Sequence, residues 1–338
     1  MRFSADIRLA LIALLIWMPG AVARPIQIDV AVEDDRHIAK ISAQHLAGSS
    51  AREDPNFSLS GRPGDVRAGP LIRLSVLPVH EFARVVPELS VIQLPFFYPD
   101  IGAVHRALDG PLGKALKMAA RDRGWEILDF WDEGMQVMSG NLPYTHARAL
   151  QGKEFVLLRD DPIAEIELRA LDVWSRRARP TSLAQLHTEC VVASRSATLQ
   201  QIQSEQLARV HLDLTLTRHR YEGWVVAMRR EDWNALDAAS RNDLIERLAS
   251  MRAWQRDEAA RREEAAQREL VRQAMTVHPV TPATWHAYRA MQPAWERFLP
   301  ESLGAESRAA LIALAAGAAG LDITHAPHET LPQPQQRT

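Results

Sequence analysis

The chain has 338 residues, 46% hydrophobic and 24% charged, with a formal net charge of −2. That length accommodates two domains of ordinary size, and the near-neutral balance argues against a polybasic binder of nucleic acid or of anionic membrane surfaces. The one cysteine, Cys190, leaves no intramolecular disulfide, so a hydrophobic core must carry the stability.

Residues 1–23 read as a cleavable signal peptide. Arg2 and Arg8 precede the apolar run LALIALLIWMPGAVA, shorter than the roughly 20 apolar residues of a membrane span. Ala21-Val22-Ala23 closes it as a small-residue cleavage pattern, so the mature chain is expected to begin at Arg24, in the periplasm. IQIDVAV (Ile26–Val32) alternates as a strand does, and DDRHIAKISAQHLA follows as a helix, with Asp34 or Asp35 as cap and Ile38, Ile41 and Leu46 on one face. A loop rich in Gly, Pro, Ser and Asp leads to LIRLSVLPV, apolar enough for a buried strand. This β-α-loop-β opening is the grammar of an α/β fold.

ELSVIQLPFF is expected to form a strand that Pro95 and the aromatic residues end. Asp100 caps IGAVHRAL, Pro111 opens the helix PLGKALKMAARDRG and Gly124 closes it. WEILDFW returns as a strand. A second series reads KEFVLL as strand, IAEIELRALDVWSR and SLAQLHTE as helices, and CVVAS as strand. Leu236–Met275 forms one long, charged helix pinned by Leu244, Leu248, Met251 and Leu270. It lacks the sustained heptads of a coiled coil. TPATWHAYRAMQPAWERF is a further helix with Thr281 or Thr284 as cap, and the Pro- and Gln-rich tail 326–338 reads as disordered.

Three segments carry a resemblance. VPELSVIQLPFFYPDIGAVHRALDGPLGKAL, ILDFWDEGMQVMS and LTLTRHRYEGWVVAMRREDWNALDAASRNDL resemble the corresponding segments of DctP-type solute receptors of TRAP transporters. The resemblance covers nearly all of the mature chain and is weak from Lys153 to Ser196. It implies an α/β, two-lobed clamshell of the periplasmic-binding-protein kind, with crossing strands and a long C-terminal helix. The implied organisation is a first lobe over 24–145, a second over 146–235, and helices over 236–325 that pack across both. It also implies a small-molecule ligand, usually an organic acid, and delivery to the small and large membrane subunits of a permease. A monomer is expected, with no cofactor, metal or nucleic acid.

The ligand motifs depart from the family pattern. The family binds a carboxylate with an arginine in LKGLKIRVP, a use suited to the guanidinium fork; here LQGKEFVLLRDDP puts Val156 at that position. Arg159 would replace it only after a longer turn, because an odd offset along a strand faces the other way. A second family arginine is Gln136 here. In a third motif Val192 takes an acidic position, and Arg195 and Ser196 fall near the family's polar pair. Candidate ligand contacts are therefore Arg159, Arg195, Trp131, Gln136, Glu133, His80 and Ser196. Trp131 offers stacking or core packing. His80 lies just after a strand, where α/β clefts form. His219 matches a family position and reads as structural.

Enzyme readings find no support, since no nucleophile elbow, phosphate loop or dinucleotide fingerprint is present. His325 and His328 lie at the start of the expected tail and make a weak metal signal, and Cys190 reads as a buried or inert thiol. Two functions follow: a transport receptor for an organic acid or another polar solute, or a receptor-derived periplasmic sensor or interaction protein that has lost ordinary carboxylate transport.

Overall fold

A computed structural model describes residues 26–32, 34–48, 57–59 and 72–321. The signal peptide (1–23), the tail (326–338) and the His325/His328 pair lie outside them. In chain order the elements are β1 (Ile26–Val30), α1 (Ile38–Leu46), β2 (Phe57–Leu59), β3 (Ile72–Pro78), α2 (Val79–Phe82), α3 (Ile101–Asp109), α4 (Pro111–Asp122), β4 (Trp125–Gly140), β5 (Glu154–Leu157), α5 (Pro162–Ala170) and β6 (Trp174–Arg177). They continue with α6 (Leu183–Val192), β7 (Arg195–Ala197), α7 (Leu199–Ser204), β8 (Asp213–Arg229), α8 (Arg230–Ala235), α9 (Ala238–Arg272), β9 (Thr276–Pro279), α10 (Pro282–Ala290) and α11 (Ala305–Ala319).

The main sheet has the order β2-β1-β3-β8-β4-β7, with β9 beside β8, and β5 and β6 form a small parallel sheet of their own. Two long strands, β4 and β8, run antiparallel from the Trp125–Arg229 pair to the Gly140–Asp213 pair, through three register shifts. Their outer halves serve different lobes. The first lobe adds β1, β2 and β3 to the β8 edge. The second adds β7 to the end of β4, and β9 to the start of β8.

Apolar faces explain the layers. In the first lobe, Ile28, Leu74, Val76, Val226 and Met228 pack under α1 and the first half of α9 (Leu244, Leu248, Met251). The other face buries Phe82, Leu89, Val104, Leu116 and Val225 with Leu311 and Ile312 of α11. The second lobe buries Val137, Val156, Cys190, Leu199 and Leu214 against Ala266 and Leu270, from the far half of α9. A 35-residue helix spans roughly 50 Å at about 1.5 Å per residue, so α9 braces both lobes. Among the described residues no helix is long and apolar enough to cross a membrane.

Several local expectations are corrected. The apolar run expected as a strand is a 3-10 helix over Pro87–Gln93, with Leu89 to Gln93 all buried. A run apolar on every side does not distinguish a strand from a buried helical turn. CVVAS does not form a strand from its start: Cys190 to Val192 complete α6, which Ser182 caps, Ser194 makes a single bridge to Phe155, and the strand β7 begins at Arg195. The helix from Ile163 stops at Ala170, Asp172 takes a positive φ of 57°, and the chain returns as β6. The cap of α1 is His37, whose ring nitrogen accepts from the Ala39 N–H. Asp34 instead accepts from the Arg36 N–H. Helix α10 starts at its Thr281 cap but ends at Ala290, before a separate 3-10 turn at Trp295–Phe298.

Candidate functional site

Where the lobes meet, β8 carries Arg220 and Glu222. Residues two apart on a strand share a face, and Gln136 of β4 stands opposite Arg220 in the register. Arg220 donates through Nη1 and Nη2 to both carboxylate oxygens of Asp161, at 3.0 and 2.9 Å. Its Nε and Nη2 also reach Gln136 Oε1, at 3.2 and 3.0 Å. Asp161 is in turn the N-cap of α5, accepting from the Ala164 N–H at 2.9 Å. Gln136 Nε2 and Arg159 Nη2 each donate to Glu222 Oε1 at 2.5 Å. Ser196 Oγ donates to Gln136 Oε1 at 2.8 Å and sits 2.9 Å from His219 Nε2. His219 is fully buried, bonded at Nδ1 to Thr217 and 3.3 Å from Glu167 of α5.

Burial alone would raise both acidic partners. The guanidiniums of Arg220 and Arg159 outweigh it at Asp161 and hold that carboxyl well below its usual range. Arg159, His80 and Arg220 do the same, less strongly, for Glu222. Two cations thus meet two ionised carboxylates, the pairing that a charge withdrawn from water requires. Glu167 has no such donor, and burial pushes its carboxyl up to about 8. Burial pushes His80 down to about 4, with Arg159 adding to the effect.

A β-bulge sets the second cluster. The shift between Asp132 and Gly134 leaves Glu133 as the extra residue, and a bulge re-aims its side chain. Glu133 accepts from Thr198 and Gln201 of the second lobe at 3.2 and 2.7 Å, and from Trp224 Nε1 at 3.0 Å. His37 lies 3.6 Å away. Burial, then the nearby Glu222, pushes Glu133 up to about 7.

Five of the seven candidates from sequence therefore lie at the junction: His80, Glu133, Gln136, Arg159 and Ser196. The parity objection to Arg159 disappears because β5 ends at Leu157, and the side chain leaves from the segment beyond the strand. Two candidates are elsewhere. Arg195 alternates with Ser196 to the opposite face of β7, where Glu205 takes its guanidinium at 2.9 and 2.7 Å. Trp131 is fully buried among Ile28, Leu74 and Val226 in the first-lobe core. Val156 is likewise core. The residues missed from sequence are Asp161, Glu167, Arg220 and Glu222. The available signal was two charges of opposite sign at i and i+2, the second inside a run, Tyr221 to Met228, that is otherwise apolar.

The junction offers donors and acceptors from both lobes. Arg159 keeps about 30% of its side chain exposed, against 4% for Arg220, and its Nε and the His80 Nδ1 are buried without partners. A small molecule carrying an acidic group and hydroxyls matches this set.

The family model for bacterial extracellular solute-binding proteins, family 7 (DctP), matches residues 66–301. The C4-dicarboxylate-binding periplasmic protein DctP of Rhodobacter capsulatus is 26% identical over 164 residues, 48% of this chain and 49% of that protein, so the chain spans about half the length of that relative. A TRAP periplasmic solute-binding protein of Ochrobactrum anthropi, crystallised with its C-terminus in the ligand-binding pocket, superposes with a TM-score of 0.76 at 20% identity. The match covers 89% of this chain and 98% of that one. A Shewanella oneidensis counterpart with bound succinate gives 0.68 at 20% identity, covering 87% and 99%. These likenesses establish the two-lobed fold.

Proposed function

The chain belongs to the DctP family, family 7 of the bacterial extracellular solute-binding proteins, and we propose that it is the periplasmic receptor of a TRAP-type secondary transporter. In this reading it is exported, cleaved after Ala23, and works as a monomer. It captures a small organic acid between its lobes and hands it to the small and large membrane subunits of a permease. The Rhodobacter relative is named for C4 dicarboxylates and the Shewanella structure holds succinate.

The observation that carries the reading is Arg159. This second-lobe guanidinium reaches the shared strands, remains part exposed, and keeps a buried Nε unpartnered near the first-lobe His80, whose Nδ1 is unpartnered too. A ligand oxygen meeting both groups bridges the lobes and selects the closed state. Charge then narrows the ligand. Arg220 is held by Asp161 and Gln136, which leaves Arg159, part exposed, as the cation of the junction's described residues that a ligand can reach. A second ligand carboxylate would face Glu222 and Asp161 with no cation of its own. Hydroxyls, in contrast, suit His80, Gln136, Ser196 and Glu133.

A hydroxylated monocarboxylate is therefore expected to bind at least tenfold more tightly than succinate. Thermal shift followed by calorimetric titration over a panel of organic acids tests this; a ligand at a hundred times its Kd stabilises by about 2.7 kcal/mol. Succinate binding as tightly as every hydroxylated monocarboxylate would sink the ligand class. The internal pairing of Arg159 and Arg220 favours a second reading, a receptor-derived periplasmic sensor or interaction protein, and a panel without a single shift would select it.

A further inference from the structure

Away from the junction, a hollow of about 280 Å³ opens between α5 and the C-terminal segment. Ile166 and Arg169 line it from α5, Leu299 and Glu301 from the segment ahead of α11, Arg297 from the 3-10 turn, and Arg308 from α11. Three arginines thus line one cavity beside a single glutamate. Among the described residues none of the three is ion-paired to an acid. The one polar bond recorded for them runs from Arg308 Nη1 to the Glu296 carbonyl, at 3.3 Å. The Nε of Arg308 is buried with no partner at all.

Each of these facts is a cost. Like charges gathered at one hollow repel, and a buried N–H left unmade costs about 1–3 kcal/mol. Other arginines on the surface meet such costs internally: Arg256 takes Asp109, Arg262 takes Glu258 and Arg177 takes Glu165. Here no internal acid does so. An oxyanion would relieve the repulsion and satisfy the Arg308 Nε together, because phosphate and carboxylate oxygens accept the parallel N–H bonds of guanidinium forks.

We propose that this hollow is a second ligand site, taking a small multivalent oxyanion that bears phosphate or clustered carboxylate groups. It uses none of the junction's side chains. On α5 the residues Ile166, Arg169 and Ala170 share one face at i, i+3 and i+4, whereas Glu167, one position on, turns to His219 in the junction.

The test uses the mature full-length chain, with inorganic phosphate and citrate as separate probes and sodium chloride matched for ionic strength. Saturable binding of either probe, beyond the chloride effect, is expected. The tighter of the two distinguishes a phosphate from a polycarboxylate site. Arg297→Ala combined with Arg308→Ala should weaken binding at least tenfold. Arg297→Glu, a change at an exposed position that should leave the melting temperature near that of the parent chain, should do likewise. Arg209→Glu, an equal charge change at another exposed arginine, should not. No saturable binding of either anion, or binding that survives both Arg297→Glu and the double substitution, overturns the proposal.

Discussion

Two groups of arginines in this molecule differ in what answers their charge. At the junction Arg220 and Arg159 meet Asp161 and Glu222 from the chain itself. In the hollow behind α5, Arg169, Arg297 and Arg308 meet no acid partner among the described residues. Burial accounts for the contrast. A guanidinium as enclosed as Arg220 has no water to fall back on and must be paired for the chain to fold. Arg169 and Arg297 are exposed, so solvent can hold them until an anion arrives. In the proposed reading, internal pairing limits how much ligand charge the junction accepts, while the hollow keeps that capacity.

Removing Arg220 should have the largest effect. Arg220→Met strands Asp161 as a buried lone charge, and a loss of about 3–5 kcal/mol is expected in urea unfolding. A loss below about 1 kcal/mol would mean that the pair is not a buried one. Arg159→Ala should cost less, about 1–3 kcal/mol, because Gln136 still donates to Glu222 and water can enter. The same change should weaken binding of any solute found in the organic-acid panel at least tenfold, a loss that separates a ligand contact from a structural pair.

The pH dependence is smaller and has a definite sign. Glu133 and Glu167, raised from 4.5 to about 7 and about 8, hold their protons more tightly folded than unfolded. Their contribution is complete below pH 4.5 and is lost as pH rises through 7 and 8. His37 and His80, lowered from 6.5 to about 4, act in the opposite sense: they contribute above 6.5 and lose that as pH falls through 4. Between 4.5 and 6.5 the two pairs oppose each other. Above 6.5, of these four groups only the carboxyls still change, so stability should fall between pH 6.5 and 8, by an amount on the order of 1 kcal/mol for each carboxyl. The combined Glu133→Gln and Glu167→Gln variant should flatten that limb; an unchanged limb would place its origin elsewhere. The smallest effect is expected in the hollow, where Arg297→Ala should move stability by less than about 0.5 kcal/mol. A large loss there would mean that the guanidinium is already paired.

The fold was legible where periodicity and caps agree. Asp100, Pro111, Gly124 and Thr281 mark the helix ends read from sequence, and the long helix runs as its sparse breakers imply. Legibility failed where apolar residues lie on every side, as at Leu89–Gln93, since a period needs a polar face to be seen. The junction was half legible for a related reason. Gln136 and Ser196 stand out as departures from a motif, and Arg159 as a nearby cation. Arg220 and Glu222 lie inside a segment that matches its family closely, so their one local signal, opposite charges two residues apart, does not mark a departure. Their roles come from the facing strand and from α5, distant in sequence, and no local pattern encodes that meeting.

The two long strands have a consequence for how the chain melts. The halves of β4 and β8 that complete the first-lobe sheet continue, unbroken, into those that complete the second, and α9 is fastened to both cores. Neither lobe owns a full set of sheet partners, so loss of one leaves raw strand edges in the other. The molecule should behave thermodynamically as one cooperative unit, with a single calorimetric transition whose van't Hoff and measured enthalpies agree. Fragments cut at the boundary between its lobes should not fold alone.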